Sequence, residues 1–378
     1  MQDLSVNKTL NQKEISNLFI ISDIHFGVRS DSIEWQNNMK EYFNDFFIPF
    51  IEENKDSETG IAILGDLFDN RNSINISTMN ICSDIIQKMT ALCPVTILTG
   101  NHDMFKRRDS SLSSLASVSH INGVTVISEP TIINYKGDKS GLWIPYMGDN
   151  KTETEYLRTS NCDYAFLHTE CIGSVFDNNR PIIDGTNINL FKGTRVYSGH
   201  IHKRQESSDQ HFIYVGSPYQ LRRSDIGNKK GIYKLNIIDG TTSFMPNMIS
   251  PEYKRIPIQK VLETSLIDFM EYVSNSYVDI LVPKETSTDV NISDILNLLS
   301  PEKMTENGFR PYKNLISYIF NSEVETFNPT EKEEFSGSIE DHINHYLESL
   351  LESQNLDAEE KKKIIKLNEE LISEAGSI

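Results

Sequence analysis

No stretch of this chain stays apolar for the roughly 20 residues that a membrane-spanning helix requires, which excludes an integral α-helical membrane protein. The first residues, Met1 to Lys13, also lack the apolar core of a signal peptide, so the cytoplasm is the expected location. Cysteine is scarce: Cys82, Cys93, Cys162 and Cys171 are the four present in 378 residues, and no two form a CxxC pair. That spacing excludes a cysteine-built zinc knuckle, offers no disulfide framework, and suits reduced thiols in the cytosol. Positive charge is in short supply as well. Lys and Arg number 36 against 54 Asp and Glu, for a net charge of −18, which argues against nonspecific coating of nucleic acid but leaves room for a focused positive site.

The charge deficit is uneven. Residues 321–378 hold 15 acidic residues against five lysines and no arginine, more than half of the net charge. The first 320 residues carry basic clusters at Lys106, Arg107 and Arg108, at Lys203 and Arg204, at Arg222 and Arg223, and at Lys229 and Lys230.

Residues 17–248 alternate short β-branched runs with longer amphipathic segments, the pattern of an α/β domain. Ile33 to Ile51 spaces Trp35, Met39, Tyr42, Phe43, Phe46, Phe47 and Phe50 at helical intervals, predicting a helix with an aromatic core face. Residues 74–92 predict another, closing at Cys93 before Pro94. Residues 124–146, 211–215 and 231–238 read as strands. The character changes near Pro251: residues 251–320 mix the strand-like Val278 to Val282 with helical stretches and predict a small α+β domain. Residues 321–337 are polar, carry Pro329 and Gly337, and read as a linker. Residues 338–378 hold two amphipathic segments, the second opening with Asp357 and Glu360 at capping-box spacing. These helices could bury their faces on each other or on the body, or serve as a docking module for a partner.

Five apolar runs inside the α/β region end in residues fit to hold a metal ion. They are Phe19 to His25 with Asp23, Ile61 to Asp69 with Asp66, Val95 to Asp103 with Asn101 and His102, Tyr164 to His168, and Arg195 to His202 with His200. Loops at the C-terminal ends of neighbouring strands converge on one crevice in an open α/β sheet. Asp23 and His25, and again His200 and His202, stand two apart, which puts both side chains on one side of an extended segment. The set is carboxylate, imidazole and amide without thiolate, suited to Mn²⁺, Fe²⁺, Mg²⁺ or Zn²⁺. Two divalent ions outweigh the two carboxylates Asp23 and Asp66, so the loaded site would attract a phosphate despite the acidic chain. Histidines at positions 120, 211, 342 and 345 fall outside these runs and receive no role.

The series Asp-x-His, Gly-Asp-x-x-Asp, Gly-Asn-His-Asp, a lone His and Gly-His-x-His resembles the calcineurin-like metallophosphoesterases. Ser22 to Gly27, Gly65 to Asp69, Gly100 to Asp103, Gly199 to His202 and Gly216 to Pro218 are similar to its SbcD-type branch, nuclease subunits of DNA double-strand-break processing. The acidic, Asn-rich character further resembles the recombination nuclease subunits of T-even-type phages, for which the location would be the host cytoplasm.

The resemblance implies an α/β two-sheet sandwich flanked by helices over residues 1–250, a DNA-contacting capping domain over 251–320, and a C-terminal helix pair over 338–378 that binds an SbcC-type ABC ATPase. It implies that Asp23, His25 and His202 hold one ion and Asn101, His168 and His200 the other, with Asp66 bridging and Mn²⁺ ahead of Mg²⁺. His102 would act on the phosphate or leaving oxygen, with Asp69 as its carboxylate partner, and Asp103 would orient the ligands from behind. Lys106, Arg107, Arg108, Arg222 and Arg223 are the candidate DNA contacts. A homodimer within a heterotetramer is implied too, through residues 74–90 and 110–118. The competing functions are a phosphatase or cyclic-nucleotide phosphodiesterase on the same fold, and a catalytically silent scaffold. Asn70 and Asp103 stand where protein phosphatases of the superfamily carry Arg and Glu, which disfavours the first.

Overall fold

Two sheets stack face to face, and the apolar runs are their central strands. In a computed structural model, residues 6–106, 109–188, 193–209, 211–284 and 297–320 are described. The first sheet has six strands in the spatial order Thr242–Pro246, Gly231–Asn236, Asn17–Ile21, Thr59–Ile63, Val95–Leu98 and Val124–Ile127. From Asn17–Ile21 to Val124–Ile127 the pairing is parallel. The second has seven, in the order Lys8–Gln12, Thr131–Tyr135, Ser140–Ile144, Tyr164–His168, Arg195–Gly199, Phe212–Tyr214 and Gln205–Glu206.

The strands read as continuous apolar runs because both of their faces are covered. Side chains alternate between faces with period two. Ile20, Ala62, Leu64 and Phe166 point into the core between the sheets, where Trp143 stacks on Phe166 with ring centroids 4.5 Å apart. Their neighbours Phe19, Ile21, Ile61 and Ile63 face helices, meeting Phe43, Phe47, Ile85, Ile86 and Met89. Ala165 and Leu167 face a third cluster with Leu157 on helix Asn150–Thr159. The expected α/β two-sheet sandwich flanked by helices is what the chain builds. Each fully buried Leu, Ile or Phe in it stabilises by roughly 1.5–3 kcal/mol before entropy is subtracted.

The aromatic helix is interrupted in the middle. Ile33–Glu41 is α-helical, Tyr42–Phe47 is a π-helical segment, and Ile48–Asn54 is α-helical again. The wider turn re-phases the stripe, so Tyr42, Phe43 and Phe47 are buried while Phe46 and Phe50 are only half-buried. The expected helix over 74–92 spans Ile76–Leu92, capped by Asn75.

Beyond Pro251, strands Glu252–Pro257, Ser276–Pro283 and Asn314–Phe320 form a parallel three-stranded sheet over a small core of its own. It rests on the aromatic helix: Trp35 and Tyr277 stack with an interplanar angle of 5°, and the Tyr277 hydroxyl donates to Glu34 and accepts from Asn38. The described residues all belong to one unit, which ends at Phe320. The expected linker and C-terminal helix pair lie outside the described residues, as do Arg107, Arg108 and the side chain of Lys106. No helix among the described residues is long and apolar enough to cross a membrane.

Candidate metal centre

The five predicted strand ends meet at one edge of the sandwich. Asp23 and His25, Asp66 and Asp69, and Asn101, His102 and Asp103 follow three adjacent parallel strands of the six-stranded sheet. His168 ends one strand of the seven-stranded sheet, and His200 and His202 follow its parallel neighbour. The backbone must bend sharply here: Asp23, His25, Asp66 and His200 take left-handed φ of 53°, 54°, 52° and 85°. Each such non-glycine residue costs about 1–3 kcal/mol and persists only where its surroundings over-determine it. Cross-strand bonds supply that constraint, with Asp23 N donating to Gly65 O at 3.1 Å and His25 N to Asp66 O at 3.0 Å. Close approach also demands glycine at two places. A Cβ on Gly100 would run into the Asp66 backbone nitrogen, and one on Gly199 into the Ser22 hydroxyl and the Leu64 carbonyl.

Three clusters adjoin among the described residues: Asp23 with His25 and His202, Asp66 with His168 and His200, and a third that brings His25 together with Asp69 and His102. In the first, His25 Nε2 and His202 Nε2 face each other at 3.0 Å. Asp23 Oδ2 is buried with no hydrogen-bond partner among the described residues. In the second, Asn101 Oδ1 lies 3.0 Å from His168 Nε2 and 2.7 Å from His200 Nδ1. Asp66 Oδ2 sits between the clusters, 3.3 Å from His168 Nε2 and 3.7 Å from His25 Nε2. Lone pairs aimed at a common point, beside an orphaned buried carboxylate oxygen, are what a cation satisfies, and the donor set fits two divalent ions.

Burial alone would lower His168, but the Asp66 carboxylate overrides it and lifts the imidazole to about 9. Burial would likewise raise Asp66, and His168 beside it holds the carboxyl well below its usual range instead. His25 is raised against burial by Asp69 and Asp66, whereas His202 is driven well below the usual histidine value by burial and by the neighbouring His25. A cation entering such a site displaces protons.

Residues behind the ligands fix their orientation. His168 Nδ1 donates to Leu64 O at 2.6 Å, which leaves Nε2 to face Asp66 and Asn101. Asp103 is buried and accepts from the backbone nitrogens of Gly100, Leu67 and Phe68, tying two ligand loops together as an orienting group would. Burial and the nearby Asp66 charge push its carboxyl up to about 7. Three neighbours of the site histidines were not anticipated. Glu170 Oε1 lies 3.5 Å from His200 Nε2, Asp177 Oδ2 lies 3.9 Å from His202 Nδ1, and Lys230 Nζ donates to His202 O at 2.6 Å. Glu170 stands two residues past His168; Asp177 and Lys230 carry no local signal.

Three expectations need correction. The Asp69 carboxylate does not pair with His102; it lies 3.1 Å from His25 Nδ1, off the line a hydrogen bond requires. Asp69 N donates to Phe26 O, turning its own carbonyl toward His102, whose Nδ1 donates to it at 2.6 Å. Without a carboxylate partner, burial lowers His102 rather than holding it protonated. Arg223 is not a free DNA contact, since Nε and Nη2 fork onto the buried Asp279 at 2.7 and 2.9 Å. Lys230, counted with Lys229 as a basic cluster, is buried against Asp225. Arg222 is exposed.

A sandwich of this topology with a paired-cluster centre at the strand ends defines a metal-dependent phosphoesterase. The chain belongs to the calcineurin-like phosphoesterases, whose family model matches residues 16–204. It is 28% identical over 235 residues to exonuclease subunit 1 of Enterobacteria phage T4, a match covering 60% of this chain and 66% of that protein, just under two thirds. It is 24% identical to the phosphoesterase-like protein 244L of Invertebrate iridescent virus 6, over 68% of this chain and 88% of that one. Among solved structures, protein AQ665 of unknown function from Aquifex aeolicus is 20% identical and covers 40% of this chain and 79% of its own, with a TM-score of 0.24.

Proposed function

We propose that the chain is a two-metal-dependent DNA nuclease that hydrolyses phosphodiester bonds at DNA ends during recombination and repair. The observation that carries the metal requirement is the pair of buried clusters joined by Asp66. The similarity to a phage exonuclease subunit supports DNA as the substrate. In this reading Asp23, His25 and His202 hold one divalent ion, Asn101, His168 and His200 the other, and Asp66 stands between them. Two such ions, with Mn²⁺ preferred to Mg²⁺, would neutralise the phosphate and lower the pKa of water for attack.

The chain's own residues complete the chemistry. His102 has Nδ1–H fixed on the Asp69 carbonyl, which leaves Nε2 free to take up a proton beside the bound phosphate and then pass it to the leaving oxygen. Asp103 holds the Asn101 and Asp66 loops in register. A homodimer and an SbcC-type ABC ATPase bound by residues 338–378 complete the proposed cytoplasmic assembly.

The test is hydrolysis of duplex and single-stranded DNA with Mn²⁺ or Mg²⁺, with His102→Ala alongside. We expect Mn²⁺-dependent cleavage that falls about 10²–10⁴-fold in the variant. Equal cleavage by both proteins would sink the role of His102. Activity confined to small phosphomonoesters would replace the nuclease with a phosphatase, and no hydrolysis at all would leave a scaffold.

A further inference from the structure

Two arginines near the first cluster, Arg29 and Arg222, enter no ion pair among the described residues, although the Arg222 charge also reaches the Asp177 carboxylate. Arg223, Lys230, Arg204 and Arg310 are each matched to a carboxylate, Asp279, Asp225, Glu206 and Glu41 respectively. Arg29 and Arg222 are exposed, and no carboxylate among the described residues pairs with either. Arg29 is also tied to the segment that carries Arg222. Arg29 Nη2 donates to the carbonyl of Leu221, the residue before Arg222, and to the Tyr253 hydroxyl, both at 3.2 Å. Arg222 N is fixed on Asp225 Oδ2 at 3.1 Å. The same Asp225 carboxylate accepts from Lys230 Nζ at 2.7 Å, and that ammonium also donates to His202 O at 2.6 Å, which ties the Arg222 segment to the His202 loop. One edge of the Arg29 guanidinium is occupied by these bonds, and a planar fork of donors remains for an anion.

The backbone is strained to place Arg29 there. Arg29, Ser30 and Asp31 are three successive non-glycine residues at left-handed φ of 60°, 55° and 59°. L-residues visit this region singly rather than in runs, and strain of this kind collects at ligand-holding segments. It is locked by Thr78, whose hydroxyl donates to Asp31 Oδ1 at 2.5 Å, and by Gln36 Nε2 on Asp31 O at 3.1 Å.

Resting on the nuclease reading, we propose that Arg29 and Arg222 clamp the phosphate next to the scissile one, so that the site selects polynucleotides over esters with a single phosphate. The clamp lies outside the ligand loops, one step along the substrate from the reacting phosphorus. It supplies positive charge where an acidic chain would otherwise repel the backbone.

The experiment compares kcat/KM for a short single-stranded oligonucleotide with kcat/KM for bis(p-nitrophenyl) phosphate, which has no neighbouring phosphate. Arg29→Gln and Arg222→Gln should each lower the oligonucleotide-to-diester ratio roughly tenfold, the scale of one lost charge-assisted hydrogen bond. Arg29→Lys should recover only part, because it restores charge without the fork. A second readout needs no turnover: anisotropy of a fluorescein-labelled oligonucleotide titrated across KCl without divalent ions. The slope of log K on log salt should fall by about 0.7 per arginine removed. An unchanged ratio, whether both activities drop or neither does, overturns the clamp, and so does an unchanged salt slope. If the wild type hydrolyses neither substrate, the nuclease reading fails, while the salt slope still decides whether these arginines hold a polyanion.

Discussion

Replacing Lys230 with methionine should damage both the fold and the centre. The Lys230 side chain is 3% exposed and the Asp225 side chain 1%, with Nζ 2.7 Å from Oδ1. At an effective dielectric constant near 20, that separation corresponds to about 6 kcal/mol of attraction. Much of it is offset by taking both charges out of water, and burial pulls Lys230 below the usual lysine value while Asp225 pulls it back. Methionine fills nearly the same volume, so the cavity contribution is small. What is lost is the partner of a buried carboxylate and the donor to His202 O. Breaking such a pair from one side costs about 3–5 kcal/mol. Urea unfolding of the metal-free protein reads this, because one tryptophan, Trp143, lies in the sandwich core and the other, Trp35, against the cap. Lys230→Met/Asp225→Asn removes the stranded charge and should recover about half of the loss. Since the lysine also fixes the backbone that carries His202, Mn²⁺ affinity by calorimetry should fall about 10–100-fold, the scale for groups supporting a metal ligand. A loss under about 1 kcal/mol with unaltered Mn²⁺ affinity would refute the reasoning.

Two further outcomes concern the body around the site. Glu153 is buried, accepts from the hydroxyls of Thr169 and Thr186 at 2.5 and 2.6 Å, and is raised above the usual glutamate value by that burial. A raised acid binds more protons folded than unfolded, so stability is fully present below the ordinary glutamate pKa and declines as pH rises through the folded value. Glu153→Gln should flatten that decline in urea midpoints from mildly acid to neutral pH; an unaltered pH profile would contradict it. Asp279→Ala strands the Arg223 fork, which is about one-third exposed, so the cost should be about 1–3 kcal/mol after allowing for screening. Hydrogen exchange should then rise first in strand Ser276–Pro283, and uniform exchange across both sheets would disprove a local effect.

The ligand residues were legible because each sits at the end of a run buried on both faces, and such a run announces a central strand. Order along the chain then matched order in space, since adjacent parallel strands were filled consecutively by Asn17–Ile21, Thr59–Ile63 and Val95–Leu98. What stayed illegible depends on contacts made across the fold. Lys230 and Asp225 are five residues apart, and nothing local distinguishes a buried lysine from its exposed neighbour Lys229. The left-handed turn at Arg29 carries no glycine at the strained positions, so turn chemistry gives no warning. The role of Asp69 follows from the family resemblance alone, and a shared motif does not say whether carboxylate or carbonyl will face His102. The π-helical segment escaped for a related reason: a helical stripe in sequence does not reveal where one extra residue per turn is inserted.

The ligand carboxylates divide their two oxygens between structure and chemistry, and the division links the clusters. Asp23 Oδ1 accepts from the backbone nitrogen of His200 at 3.0 Å, leaving Oδ2 for the first cluster. Thus a residue of that cluster fixes the loop of a histidine belonging to the second. Asp66 Oδ1 accepts from the backbone nitrogen of His102 at 2.8 Å, and its Oδ2 lies between the clusters. Lys230 holds the carbonyl of His202, and Asp103 holds the loops of Asp66 and Asn101. No ligand loop is therefore positioned by its own strand alone, which is why four left-handed residues persist without glycine. Replacing either carboxylate would remove a proposed metal ligand and also release a loop from another strand, so the contributions of these residues are inseparable. A centre assembled from five separate strand ends reaches a single geometry because each end is anchored by another.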